Sequence, residues 1–275
     1  FDGALTSIIC VKPDAIRLAE ACDDYLKQTG KLKGSLHGVP VLVKDNIETA
    51  DMPTTAGSLS LEGFSTGKDA DLVRRLKDAG AIILAKTNLH EFAVWGESIS
   101  SIKGQTYNPY DLTRTPGGSS GGTGAALAAN FGLVGIGTDT INSIRSPSSA
   151  NNLVGIRPGS GLVSADGIVP YSLTQDTAGP MARCMADAAA VLEVIAVREM
   201  PEGAASGTTR IGVLKSFFGT EPVNAEVNKI MAGVMNELSE MGVELVEIEE
   251  PLQIGDLVSN VSVHLYDLKA HLNAY

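Results

Sequence analysis

Hydrophobic and polar positions along this chain alternate between a helical and an extended period. Pro13 to Gln28 reads as a helix, with Pro13 and Asp14 at its start and Gly30 just beyond its end. Val39 to Val43 is a short apolar run of strand length. Ala70 to Ala79 repeats apolar residues at helical spacing, Gly80 stops it, and Ala81-Ile82-Ile83-Leu84-Ala85 follows as a buried strand. The same helix, glycine, strand order returns in Ala225 to Met241, Gly242 and Val243 to Ile248, with Ile211 to Leu214 as another short strand. Leu265, Leu268 and Leu272 share one helix face. Alternation of this kind predicts an α/β layered fold around a largely buried sheet.

Composition narrows the function classes. The 275 residues are 44% hydrophobic and 19% charged, which argues against disorder and coiled coil. Lys+Arg 21 against Asp+Glu 32 gives a net charge of −11 without a basic run, so neither nucleic acid nor an anionic membrane is an expected partner. The longest apolar stretch, Ala125 to Ile136, is broken by Asn130 and is too short to span a bilayer. Cys10, Cys22 and Cys184 have no metal or redox spacing, which favours a reduced, cytoplasmic setting, and Cys184 is expected to be buried at a helix start. The four histidines are scattered and predict no metal site. Arg198 to Thr209 reads as a surface loop, or as a place where residues are missing. The expectation is a single domain over 1–275, cut short at its C-terminal end. Oligomeric state is not readable from these patterns.

Glycine is the unusual count: 30 residues, eight of them between 117 and 137. Gly117-Gly118-Ser119-Ser120-Gly121-Gly122-Thr123-Gly124 runs into Ala125-Ala126-Leu127-Ala128-Ala129, a helix, and then Leu133 to Gly137, a strand. Such a loop at a helix start suits an anion cradle or a tight structural turn. It is not a Walker motif, because no Gly-Lys-[Ser/Thr] follows. Lys44, directly after an apolar run, is placed for burial, which lowers a lysine pKa and makes the amine a base near neutral pH.

The longer pattern resembles the amidase signature family. The residues that carry the resemblance are Gly117 to Gly122, Thr138-Asp139-Thr140, Ser143-Ile144-Arg145-Ser146-Pro147, His37 to Asn46, Lys86 to Ala93, Asn108 to Leu112 and Asp176 to Arg183. Gly161 to Ser164 and Gln175 to Arg183 look more like stand-alone, peptide-amidase-like members than like the family's glutamyl-tRNA amidotransferase subunit. The resemblance implies a mixed central sheet covered by helices on both faces. It implies Ser143 as nucleophile, Ser119 on a cis peptide as bridging serine, and Lys44 as base. It further implies an oxyanion hole from the backbone N–H groups of Thr140, Ile141, Asn142 and Ser143. Ser120, Asp139 and Arg145 support the site, the last two as a structural ion pair. The implied activity is hydrolysis of a small-molecule carboxamide, without cofactor or metal. An amidotransferase subunit releasing ammonia from glutamine, and a non-catalytic binding protein, stand as alternatives.

The family carries two glycines where this chain has Ile141 and Asn142. Ile141 is β-branched and tolerates positive φ badly. Either this loop is shaped without positive φ, or activity is weakened. His90-Glu91 read as structural, and Phe92 and Trp95 as pocket wall or core.

Overall fold

The computed structural model describes residues 2–199, 209–249 and 261–275. They fall into two compact units, one within 1–200 and 263–275 and the other within 201–262. Most of the expected loop at Arg198 to Thr209 lies outside the described residues.

The larger unit is built on a six-stranded sheet of β1 (Ile8–Val11), β2 (Pro40–Lys44), β3 (Ile82–Thr87), β6 (Val134–Asp139), β7 (Val154–Gly155) and β8 (Thr177–Ala182), in the order β1-β3-β2-β6-β8-β7. A short hairpin, β4 (Ile99–Ser100) and β5 (Gly104–Gln105), stands apart from it. β3, β2 and β6 run parallel, while β1, β8 and β7 pair antiparallel to their neighbours, so the sheet is mixed.

Side chains of β2 alternate between two cores, as the two-residue period of a strand requires. Val41 and Val43 join a large cluster with Leu72, Val73 and Leu76 of α2 (Asp71–Asp78) and Val191 and Leu192 of α5 (Met185–Ile195). Leu42 faces the other way, packing with Ala126 and Leu127 of α3 (Gly121–Ala128), and with Ile144 just before α4 (Arg145–Ala150). Helices therefore cover both faces. α1 (Ala15–Thr29) ends where the sequence indicates: Gly30 is left-handed and its N–H caps the Leu26 carbonyl. Cys184 caps the start of α5 and is exposed, not buried, because a residue ahead of the first turn sits at the surface end of the helix. Cys22 is buried in α1.

Parallel pairing sets the carboxyl ends of β2, β3 and β6 side by side, at Lys44, Thr87 and Asp139. Crevices at such ends are where α/β sheets hold ligands. α3 packs tightly against this edge. A Cβ on Gly122 would meet the Asn88 carbonyl, and one on Gly137 would lie 2.8 Å from Ser120 Oγ. The glycine excess thus serves close approach of helix to sheet.

The smaller unit pairs β9 (Arg210–Val213) with β10 (Glu244–Glu247) in parallel, with α6 (Ala225–Glu240) between them in sequence.

Candidate active site

Lys44 ends β2 on the face of Leu42, toward α3, and is fully buried. Its Nζ lies 2.7 Å from Ser119 Oγ and 2.8 Å from Thr138 Oγ1. Burial pulls its pKa from 10.5 down to about 7, against the opposing charges of Asp139 and Asp176. A lysine in this position holds a proton near neutral pH loosely enough to exchange it.

Ser119 precedes α3, is fully buried, and follows a cis peptide bond from Gly118. Its carbonyl accepts from the His90 N–H at 3.1 Å and from Ser98 Oγ at 3.3 Å. Ser120 fastens the start of α3 to β6: its Oγ donates to the Thr138 carbonyl at 3.1 Å and accepts from the Thr138 N–H at 3.3 Å.

Ser143 lies beyond the end of β6, nearly buried at 9% exposure, and lines a cavity of about 620 Å³. The Ser120 N–H donates to the Ser143 carbonyl at 3.3 Å, which brings Ser143 to the start of α3. Lys44 and Ser119 therefore meet side chain to side chain, whereas Ser143 is joined through its carbonyl to the N–H of Ser120, the residue after Ser119.

The loop between β6 and Ser143 has positive φ at neither Ile141 nor Asn142. The first alternative drawn from these two residues therefore holds: the loop is shaped without the conformation that glycine would supply. Among the described residues, the N–H groups of Ile141, Asn142 and Ser143 donate to no protein acceptor. All three residues, with Thr140, line the cavity.

Asp139 is fully buried and organises this loop. It accepts from the Ile144 N–H at 3.0 Å, from Arg145 Nε at 3.3 Å and from Arg157 Nε at 3.0 Å. Burial pushes the carboxyl up, but the Arg145 and Ile144 hydrogen bonds and the two guanidinium charges outweigh it and hold Asp139 below the usual carboxylate range. Arg145 also donates to the Ile141 carbonyl.

Several contributors escape a reading of the sequence. Thr140 Oγ1 donates to Asp176 at 2.5 Å, and Asp176 also accepts the Tyr171 and Ser172 N–H groups at 2.9 Å each. Burial raises Asp176 above the usual carboxylate range despite these bonds. Lys86 and Asp45 form a fully buried ion pair at 2.9 Å beside Lys44, with Lys86 donating to Thr54 Oγ1 at 2.9 Å. Lys86 and Asp176 stand inside the motif blocks, but only folding shows what they touch; Arg157 has no local signal at all.

α7 (His264–Ala274) closes one side of the cavity through His264, Leu265 and Leu268. It is tied to the Tyr171–Asp176 segment by Ser172 Oγ donating to Asp267 at 2.6 Å and by the Leu173 N–H donating to His271 Nδ1 at 3.1 Å. Trp95 also lines the cavity, 66% exposed. Among the described residues no group of three or more His, Cys, Asp or Glu side chains is disposed to hold a metal ion. Nor is any of their helices long and apolar enough to cross a membrane.

The model of the Amidase family matches residues 2–274. The chain is 39% identical over 270 residues to a Glutamyl-tRNA(Gln) amidotransferase subunit of Corynebacterium jeikeium (strain K411), covering 91% of this chain and 54% of that protein. It is 41% identical to the solved native peptide amidase from Stenotrophomonas maltophilia, with a TM-score of 0.86 over 98% of this chain and 60% of that one. A solved Glutamyl-tRNA(Gln) amidotransferase subunit from Thermotoga maritima is 28% identical, with a TM-score of 0.80 over 100% of this chain and 60% of that one. The chain thus spans about half the length of the curated relatives it matches.

Proposed function

We propose, for a chain that belongs to the amidase family, that it hydrolyses carboxamide C–N bonds through an acyl-enzyme on Ser143. The observation that carries this reading is Lys44: fully buried, brought to a pKa of about 7, with Nζ 2.7 Å from Ser119 Oγ. Neutral Lys44 accepts the Ser119 hydroxyl proton while Ser119 takes the proton of Ser143. Ser143 Oγ bonds to the amide carbon, and the N–H groups of Ile141, Asn142 and Ser143 receive the oxyanion. The proton returns through Ser119 to the leaving nitrogen, the C–N bond breaks, and water attacks the ester under the same relay. Carboxylate and amine are the products.

A fluorophosphonate probe tests the nucleophile. Labelling is expected on Ser143 and is lost in Ser143→Ala; labelling that persists in that variant overturns the assignment. Lys44→Ala is expected to lower amide turnover by at least about 10²-fold, the scale of a lost general base.

A second reading follows from curated relatives named for a subunit of the Glutamyl-tRNA(Gln) amidotransferase. In it the same relay releases ammonia from glutamine for a partner's substrate. Turnover of simple amides by the purified chain, with no gain on adding glutamine, separates the first reading from it.

A further inference from the structure

The cavity at Ser143 has a chemical character of its own, and the selectivity read from it rests on the carboxamide cleavage proposed above. Trp95 is 66% exposed and Ile141 48% exposed, yet both face one cavity of about 620 Å³ with Leu268. Large apolar side chains left uncovered around a site mark where an apolar ligand body rests. Ile141 is fixed there, since the Arg145 guanidinium holds its carbonyl. Leu268 is fixed by the Ser172–Asp267 bond at 2.6 Å, one residue away.

Glu97, an exposed residue, is the one acidic residue among the described residues that line the cavity. Its backbone is anchored by Gln105 Nε2, which donates to the Glu97 carbonyl at 2.7 Å. Its carboxylate makes no ion pair or hydrogen bond among the described residues. No lysine or arginine lines the cavity among those residues. Arg145, two residues from Ser143, is engaged by Asp139 at 3.3 Å. The neighbouring His90 is held below its ordinary pKa by burial, so it gives Glu97 no permanent counter-charge. The remaining ionisable groups on the wall are Tyr171 and His264, whose rings meet edge to face at 5.2 Å. A carboxylate that makes no ion pair or hydrogen bond among the described residues, two residues from an exposed indole, is a setting that draws a cation.

We propose that this cavity selects carboxamides that carry an ammonium or guanidinium group on an apolar body, Trp95, Ile141 and Leu268 taking the body and Glu97 the cation.

Three matched primary amides test this: 3-arylpropanamides bearing a para aminomethyl, methyl or carboxymethyl group. Ammonia release gives kcat/KM for each, and calorimetry on Ser143→Ala gives binding without turnover. The aminomethyl amide is expected to exceed the methyl one by about five- to tenfold, and the carboxymethyl amide to fall below both. Glu97→Gln brings the aminomethyl-to-methyl ratio close to one, and Glu97→Lys moves the preference to the carboxymethyl amide. Turnover of all three at equal rates, or a ratio that Glu97→Gln leaves in place, overturns the selectivity. Retained cation-preferring binding with no turnover of any amide overturns the cleavage reading instead, and absence of both binding and turnover overturns the two together.

Discussion

Lys44 shows how far burial can shift an ordinary side chain toward neutrality at physiological pH. Desolvation brings its pKa from 10.5 to about 7, while Asp139 and Asp176 resist the fall. In the proposed role of base it must be unprotonated, so kcat/KM is expected to rise with pH through about 7 and then level. Asp176→Asn removes one opposing charge yet leaves an oxygen to accept from Thr140 Oγ1, so the rising limb should move to lower pH. A pH–rate profile of both proteins checks this, and a limb that moves upward counts against the electrostatic account. The same shift has a cost in stability. Below pH about 7 folded and unfolded forms both carry the lysine proton, and the penalty of burying the charge is full; it is relieved as pH rises toward 10.5. Lys44→Met should therefore gain most in melting temperature over the wild type at low pH, with the difference shrinking as pH is raised.

The elements around the site are held by contacts rather than by propensity. α3 is buried along almost its whole length and contains three glycines. Its sequence makes a poor isolated helix, since each glycine costs up to about 1 kcal/mol relative to alanine. It forms here because glycine admits the sheet and the Asn88 carbonyl at close range. A Cβ on Gly135 would lie 2.6 Å from Thr123 Cγ2 in α3. Gly135→Ala is thus expected to lose about 1–3 kcal/mol by overpacking, read from denaturant unfolding. The Lys86–Asp45 pair ties the residue that follows Lys44 to β3. Lys86→Met strands a buried carboxylate and should cost about 3–5 kcal/mol, part of which Asp45→Leu in the same chain recovers. The helix and strand expectations at α1, β2, α2 and β3 agree with the structure to within two residues because their periodicity and glycine stops are local. The network in which Arg157 donates to Asp139 and to the Gln175 carbonyl was not legible, since its members stand 18 or more residues apart and meet only when β6 and β8 pair.

Over the molecule as a whole, a net charge of −11 surrounds a site whose only acidic wall residue, among those described, is Glu97. Long-range attraction of a cationic amide should then weaken as salt shortens the Debye length from roughly 30 Å at about 10 mM to roughly 8 Å at about 150 mM. kcat/KM for the aminomethyl amide is expected to fall over that range while the methyl amide holds steady, as steady-state rates at the two salt levels will show. The division into two units was equally beyond the sequence, which offers no composition break that marks one. By itself the sequence determined the α/β class, the local elements and the motif blocks that carry the family resemblance, because periodicity, glycine stops and short motifs are properties of neighbouring residues. Tertiary structure alone decided that Lys44 meets Ser119 across 75 residues, that Ile141 shapes its loop without positive φ, and that Trp95 and Leu268 line one cavity with Ser143. Burial and distance between remote residues come into being only when the sheet closes, and these set the lysine's pKa and the character of the cavity.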